Sequence, residues 1–225
     1  MASKIVPGNF LPLSETLAFI NKKWNIELIR DMFFGKTRFR DFKVGRADLS
    51  NKVLSNCLKN LEKNGILTKK VSNSNPSAAE YYLTEQGREL NKIIYELVVF
   101  ALEKNFSPVN ETLSFLAKKW TTEIVKDMFS GKKHFKEFKE GKPDLSNKIL
   151  SDRLKNLENK GIIEKRILNS NPFSTEYYLT KLGESLNKFI YELAVFTLNY
   201  KNKQFTEEFA SAVKDDFRKT LKINY

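Results

Sequence analysis

Cysteine and histidine are almost missing from this sequence: Cys57 and His134 are the only ones among 225 residues. One thiol excludes an intramolecular disulfide, a cysteine-rich zinc site and an iron–sulfur cluster, and one imidazole removes any multi-histidine metal site. Long apolar runs are missing as well: none approaches the ~18 residues of a membrane span. With no signal-peptide core at the start either, the expectation is a soluble, cytoplasmic protein with no membrane contact. Acidic residues are in deficit, 27 Asp plus Glu against 39 Lys plus Arg, which gives a net charge of +12 at pH 7. That surplus points to a polyanion, with nucleic acid ahead of a membrane surface. Gly-rich phosphate loops, acid pairs in a recognisable motif and nucleophile triads are also lacking, so neither an enzyme nor a cofactor is expected. What the chain does hold is 41% hydrophobic and 12% aromatic residues, enough for packed cores.

Those residues are written twice. Sliding the sequence on itself by about 96 positions, without a gap, sets Trp24 on Trp120 and Asp31-Met32-Phe33 on Asp127-Met128-Phe129. The same register sets Asp48-Leu49-Ser50-Asn51-Lys52 on Asp144-Leu145-Ser146-Asn147-Lys148, and Glu80-Tyr81-Tyr82-Leu83-Thr84 on Glu176-Tyr177-Tyr178-Leu179-Thr180. From Glu15 to Lys104, about 52 of roughly 90 positions are identical to their partners, so each copy is a whole domain and not a short solenoid unit. The expected division is a first copy over residues 13–104, a linker over 105–110, a second copy over 111–200 and a tail over 204–225. The charge divides evenly, about +6 per copy.

Within one copy, Leu13, Leu17 and Ile20 have helical spacing, with Ser14 as an N-cap. Trp24, Leu28, Ile29, Met32 and Phe33 form a second stripe ended by Gly35, with the tryptophans read as core anchors, and Phe39 and Phe42 mark a short third helix ending near Gly45. A fourth helix is capped by Ser50, stapled by Leu49 and Leu54, seamed by Leu54, Leu58 and Leu61, and stopped at Gly65. Ile66 to Val71 then reads as a strand, Asn73-Ser74-Asn75-Pro76 as a turn and Tyr81-Tyr82-Leu83 as the returning strand. Thr84 caps a long helix with Leu90, Ile94, Leu97 and Ala101 inward and Ile93, Val98 and Phe100 widening its apolar face. The fold class is mainly α with small β-hairpins, two tandem winged helix-turn-helix domains paired as a pseudo-dimer. In the tail, Phe205, Phe209, Val213, Phe217 and Leu221 lie four apart, an amphipathic helix that either docks on the second copy or joins two chains.

The run Trp24…Gly35…Arg38-Phe39…Phe42…Leu54-Ser55…Leu58…Leu61-Glu62…Gly65-Ile66…Pro76…Glu80-Tyr81…Leu83-Thr84…Gly87…Leu90 resembles the HxlR-type transcriptional regulators, over about residues 13–102 and 109–198. The resemblance implies winged-helix repressors or activators that usually bind DNA as homodimers. It also implies pairing through the helices flanking the winged core, here Thr84–Lys104 and Thr180–Tyr200 with the first helix of each copy. Members that sense oxidants or electrophiles use a cysteine before the tryptophan, which neither copy has, and members normally carry one domain per chain.

On the fourth helix, the residues left facing outward are Ser50, Asn51, Lys52, Ser55, Asn56 and Lys59, and in the second copy Ser146, Asn147, Lys148, Ser151, Arg153 and Lys155. Asn, Ser and Arg can read base edges, while Lys and the helix N-terminus hold phosphates. Lys69 and Lys70 on the first hairpin, with Lys165 and Arg166 on the second, can straddle phosphates or reach the minor groove. Arg38 and Lys133 are candidates for backbone contacts, as are Lys36, Arg40, Lys132 and Lys136, and His134 is a surface substitution for Arg38. The copies diverge at Asn56/Asp152 and Cys57/Arg153. Asp152 either accepts from cytosine or pairs with Lys148 or Lys155, and Cys57 reads as a half-buried hydrophobe or a redox sensor. The expected function is sequence-specific binding of double-stranded DNA by an intramolecular pair of repeats. A winged-helix protein–protein scaffold without base readout is the alternative, and whether fused chains form a further homodimer stays open.

Overall fold

A computed structural model describes residues 13–22, 24–72, 75–103, 105–106, 108–168, 174–200 and 205–223. It divides into two compact units, Phe19–Ile94 and a second that joins residues 13–18 to the described part of Tyr95–Tyr225. The division does not fall at the seam between the repeats, because helices α1 (Leu13–Ile20) and α4 (Glu85–Glu103) each run from one unit into the other.

In the first unit, α2 (Asn25–Phe33) buries Leu28, Ile29 and Met32. It ends in a Schellman turn: Gly35 N–H donates to the Met32 carbonyl at 3.0 Å and Lys36 N–H to that of Asp31 at 3.0 Å, with Gly35 at φ +83°. The expected third helix is a single 3₁₀ turn, Asp41–Lys43, which buries Phe42 completely. Helix α3 (Asn51–Lys63) follows the expectation closely: the Ser50 hydroxyl accepts from Val53 N–H at 3.2 Å, and Leu49 and Leu54 are both fully buried. Strands β1 (Leu67–Ser72) and β2 (Asn75–Leu83) pair antiparallel, with Lys69 opposite Tyr81 and Lys70 opposite Glu80. The expected turn is therefore shorter, since Asn75 and Pro76 already belong to β2; Asn73 and Ser74 lie outside the described residues. An isolated bridge between Arg38 and Glu80, with Tyr81 N–H donating to the Thr37 carbonyl at 2.8 Å, adds a short third edge to the hairpin. Thr84 caps α4 as expected, its hydroxyl accepting from Gly87 N–H at 3.0 Å.

Four further expectations need correction at this point. Ser14 is inside α1 and does not cap it; its N–H donates instead to Glu123 Oε1 at 3.0 Å. The tryptophans are half-buried residues ahead of α2 and α6, held in the left-handed region at φ 76° for Trp24 and 75° for Trp120, so they turn the chain more than they fill the core. The seam of α4 runs through Leu90, Ile93, Leu97, Phe100 and Ala101, since the 3.6-residue period carries Ile94 to the flank. The linker is shorter than expected, because α5 (Val109–Leu116) starts at Val109 directly behind Pro108.

The second unit repeats the pattern with α6 (Thr121–Phe129), a 3₁₀ turn at Glu137–Lys139, α7 (Asn147–Asn159) and the hairpin of β3 (Ile163–Leu168) and β4 (Ser174–Leu179). The turn joining β3 to β4 lies outside the described residues. The long helix expected over Thr180–Tyr200 is broken into α8 (Lys181–Glu184) and α9 (Asn187–Tyr200). Two short polar side chains take over the local ladder there: Ser185 Oγ donates to the Leu182 carbonyl at 2.7 Å, and Lys188 N–H donates to Asn187 Oδ1 at 2.8 Å. The first copy has Glu89, a better helix former, where the second has Ser185.

The tail helix α10 (Glu207–Thr220) docks on α9 of the second copy, the first of its two expected roles. Val213, Phe217 and Leu221 are buried, worth about 1.5–3 kcal/mol each in removed apolar surface. Around them Asn187 Nδ2 donates to the Leu221 carbonyl and Arg218 to the Tyr191 hydroxyl, both at 3.2 Å. Tyr191 and Leu198 are 5% and 1% exposed, whereas the identical Tyr95 and Leu102 on α4 stand 65% and 70% exposed.

Candidate nucleic-acid interface

Each of the helices α3 and α7 is fixed from behind. The Asp31 carboxylate sits at the end of α2, where Arg46 reaches it at 2.6 Å and Lys36 at 3.0 Å, and Arg46 also donates to the Phe42 carbonyl at 2.7 Å. This cluster clamps the 3₁₀ turn to α2 and so sets where α3 begins. Burial alone would raise the Asp31 pKa, but hydrogen bonds and charge from Arg46 and Lys36 outweigh it and hold the carboxyl below its ordinary value. In the second copy Asp127 is 1% exposed and takes Lys142 at 2.5 Å, Lys126 at 3.4 Å and Lys132 at 3.5 Å. Lys36 and Lys132 therefore serve these clusters and do not stand free for a phosphate.

On α3, Ser50, Asn51, Lys52, Asn56 and Lys59 are exposed and Ser55 is half-buried, while Leu54, Leu58 and Leu61 are buried. On α7, Ser146, Asn147, Lys148, Ser151, Asp152 and Lys155 are exposed over buried Leu150, Leu154 and Leu157. Sequence reasoning missed one pair of residues beside them. Lys43 donates to Asn51 Oδ1 at 2.7 Å, and Lys139 donates to Asn147 Oδ1 at 2.5 Å. Each lysine fixes the asparagine amide so that its NH₂ group is the end left to donate. Their signal was available, since the lysine and the asparagine are identical in both copies at a spacing of eight residues.

Arg153 stands apart from the exposed row. It is half-buried, and its Nε donates to the Lys119 carbonyl at 2.9 Å, which ties the side chain back to the turn before α6. Asp152 forms no ion pair with Lys148 or Lys155 among the described residues. Cys57, at the position of Arg153, is half-buried, and burial pushes its thiol pKa up, against the thiolate a reactive cysteine needs.

The hairpins carry Lys69, Lys70, Lys165 and Arg166, all exposed. Lys70 Nζ lies 5.1 Å from the Tyr82 ring centroid, and Tyr178 has Arg166 at 4.4 Å and Lys133 at 4.8 Å, so the rings hold the cations in place. Arg166 also pairs with Glu164. At the hairpin root Arg38 donates to Glu80 at 3.2 Å, and Tyr82 donates to the same carboxylate at 2.5 Å; these bonds, Tyr82 first, hold Glu80 below its ordinary pKa. His134 takes over the Arg38 place, 3.5 Å from Glu176, as a surface substitution. No group of His, Cys, Asp or Glu among the described residues has the makings of a metal site, and no described helix is long and apolar enough to cross a membrane.

Two helices joined through a short turned segment, the second capped and polar outward, and a basic antiparallel hairpin behind it define a winged helix-turn-helix, present twice. The family model for HxlR-like helix-turn-helix proteins matches residues 19–107 and again 115–205, so the chain belongs to that family and carries its domain in duplicate. Its relatives are named HTH-type transcriptional regulators. YvaP of Bacillus subtilis is 29% identical over 97 residues, 43% of this chain and 90% of the relative. YodB of B. subtilis is 35% identical over 85 residues, 38% of this chain and 76% of the relative. Among solved structures, the redox regulator HypR in its oxidized form is 27% identical with a TM-score of 0.37, covering 44% of this chain and 98% of its own. Reduced YodB is 35% identical with a TM-score of 0.34, covering 44% and 93%.

Proposed function

We propose that this chain is a sequence-specific regulator that binds double-stranded DNA through α3 and α7, with the two hairpins against the flanking backbone. The observation that carries the reading is the matched exposed row, Asn51, Lys52 and Lys59 on one helix and Asn147, Lys148 and Lys155 on the other, within a chain of net charge +12. A capped helix offering free N–H groups, lysines in its first turn and amides on its outward face suits phosphate anchoring combined with base-edge readout. Lys69, Lys70, Lys133, Lys165 and Arg166 supply sequence-independent affinity. Arg38 braces the first hairpin, and Arg153 anchors α7 in place of reading bases. Half-site asymmetry, if the operator has it, then rests on Asn56 against Asp152.

Pairing of the two repeats within one chain is part of the same reading. Its support lies in α1, where Ser14 bonds Glu123 and the Thr16 and Thr197 hydroxyls share a buried hydrogen bond of 2.9 Å. The functional division is accordingly two winged copies with α10 added to the second. The test is duplex binding across a salt series with Lys52→Ala, Lys148→Ala and the double variant. Each lost phosphate contact lowers the slope of log affinity against log salt by about 0.9 and weakens all sequences alike. An unchanged slope in the double variant would remove these helices from DNA. Absence of duplex binding even at low salt would favour the protein–protein scaffold.

A further inference from the structure

The second unit contains a cavity of about 380 Å³ below the second hairpin, bounded by α6, β4, α8, the start of α9 and the end of α10. Its volume is within the range of small-molecule sites. Its lining combines rings with cations: Phe129, Tyr177 and Tyr178 supply aromatic surface, and Lys132, Lys133 and Lys222 bring three ammonium groups against one carboxylate, Glu184. Lys132 is already engaged by Asp127 and by the Glu137 carbonyl at 3.0 Å. Lys133 and Lys222 are exposed and form no ion pair among the described residues, so both remain available to an incoming anion.

The duplication provides an internal comparison. Position by position, the first copy keeps the rings, as Phe33, Tyr81 and Tyr82, but has Thr37 for Lys133 and Arg88 for Glu184. It has no counterpart of Leu221 and Lys222, because the second copy begins where such a tail would stand. The helix break at Ser185 and Leu186, absent from α4, separates Glu184 from Asn187, both of which line the cavity, and Asn187 holds the Leu221 carbonyl that closes it. An added wall, an added lysine and a broken helix, all peculiar to the second copy, converge on one space.

We propose that this cavity binds a small planar aromatic anion, with the ring against Phe129 and Tyr177 and the carboxylate accepting from the Lys133 and Lys222 ammonium groups. A bound molecule ties β4, α8 and the end of α10 together. The inference does not depend on DNA binding. The probe is salicylate, titrated calorimetrically into the full chain at about 0.15 M salt, where loose surface pairing is screened. Benzyl alcohol supplies a ring without charge, and inorganic phosphate supplies charge without a ring. Salicylate should saturate below about 1 mM, a strength reasonable for a ligand of about ten heavy atoms. Lys133→Thr and Lys222→Gln, both at exposed positions, should each weaken it at least fivefold, and Lys63→Ala, exposed at the end of α3, should leave it unchanged. The proposal is overturned if salicylate fails to saturate below about 10 mM, if either control compound binds as tightly, or if the double variant keeps wild-type affinity.

Discussion

Gly87→Ala sets two well-known effects against each other, and the structure decides which wins. Gly87 lies in the first turn of α4, and alanine there should favour the helix by about 1 kcal/mol. A Cβ at that position would fall 2.0 Å from the Ile66 carbonyl oxygen and 3.2 Å from Leu83 Cδ2. Backbone cannot rotate out of the way as a side chain can, so the helix must withdraw from Ile66 by more than about an ångström to restore contact distance. That carbonyl accepts from Thr84 N–H at 3.0 Å and from the Thr84 hydroxyl at 3.1 Å, and the same hydroxyl caps the helix through Gly87 N–H. Withdrawal therefore loses a cap, about 1 kcal/mol, and a backbone hydrogen bond, about 1 kcal/mol, on top of an overpacking strain of about 1–3 kcal/mol. After the propensity gain, a net loss of about 2–4 kcal/mol is expected, read as a lower urea midpoint by circular dichroism. Gly183→Ala repeats the test, with its Cβ 2.1 Å from the Ile162 carbonyl oxygen. Gly131→Ala, with no atom within 4 Å but φ at +91°, should lose only about 1–2 kcal/mol of backbone strain. A Gly87→Ala variant as stable as the parent would refute the close approach.

Other outcomes follow from burial and charge. Asp127→Asn should cost about 3–5 kcal/mol by thermal melting, because Lys126, Lys132 and Lys142 lose the carboxylate they share in a site of 1% side-chain exposure. Asp31→Asn should cost less, since Lys36, at 35% side-chain exposure, can return to water. The depressed Asp31 pKa contributes stability that is complete above the unfolded value of about 3.9 and is lost as pH falls through the lower folded value. Acid titration of unfolding should accordingly be shallower in Asp31→Asn below about pH 4. Phe217→Ala, at a 2% exposed position, should cost about 3–5 kcal/mol, and hydrogen exchange should report it in α9 and α10 before the first unit.

How far the sequence could be read depended on whether the deciding partner was local. The cap at Ser50, the Leu49/Leu54 staple and the Leu54, Leu58, Leu61 seam depend on neighbours a turn away, and all are found as expected. Ser14 has the chemistry of a cap, yet its partner is Glu123, more than 100 residues distant, which no local pattern encodes. Tryptophan suggests a core, and only the left-handed turns at Trp24 and Trp120 show that its backbone matters as much as its ring. In the candidate site, the exposed row of α3 and α7 was legible from helical periodicity because the leucines fix the opposite face. Periodicity could not mark Lys43 and Lys139, since a 3₁₀ turn has too few residues for a period to emerge; only their identity in both copies did. The tie from Arg153 to the Lys119 carbonyl was not legible, because a backbone carbonyl leaves no trace in residue identities.

The first six described residues bear on how such a chain can evolve or be dismantled. Residues 13–18 belong to the compact unit formed by Tyr95–Tyr225, although they are encoded at the opposite end, ahead of the unit Phe19–Ile94. Ser14 and Thr16 spend their hydrogen bonds on Glu123 and Thr197. Cutting between the repeats would therefore not return two ancestral domains. It would strand a helix from one fragment and leave an open socket in the other, where the Glu123 carboxylate and the Thr197 hydroxyl each lose one partner and keep only Thr122 and the Leu193 carbonyl. Fusion in such a chain works as a ratchet: with the opening helix bonded to the far copy, fission is no longer its simple reverse.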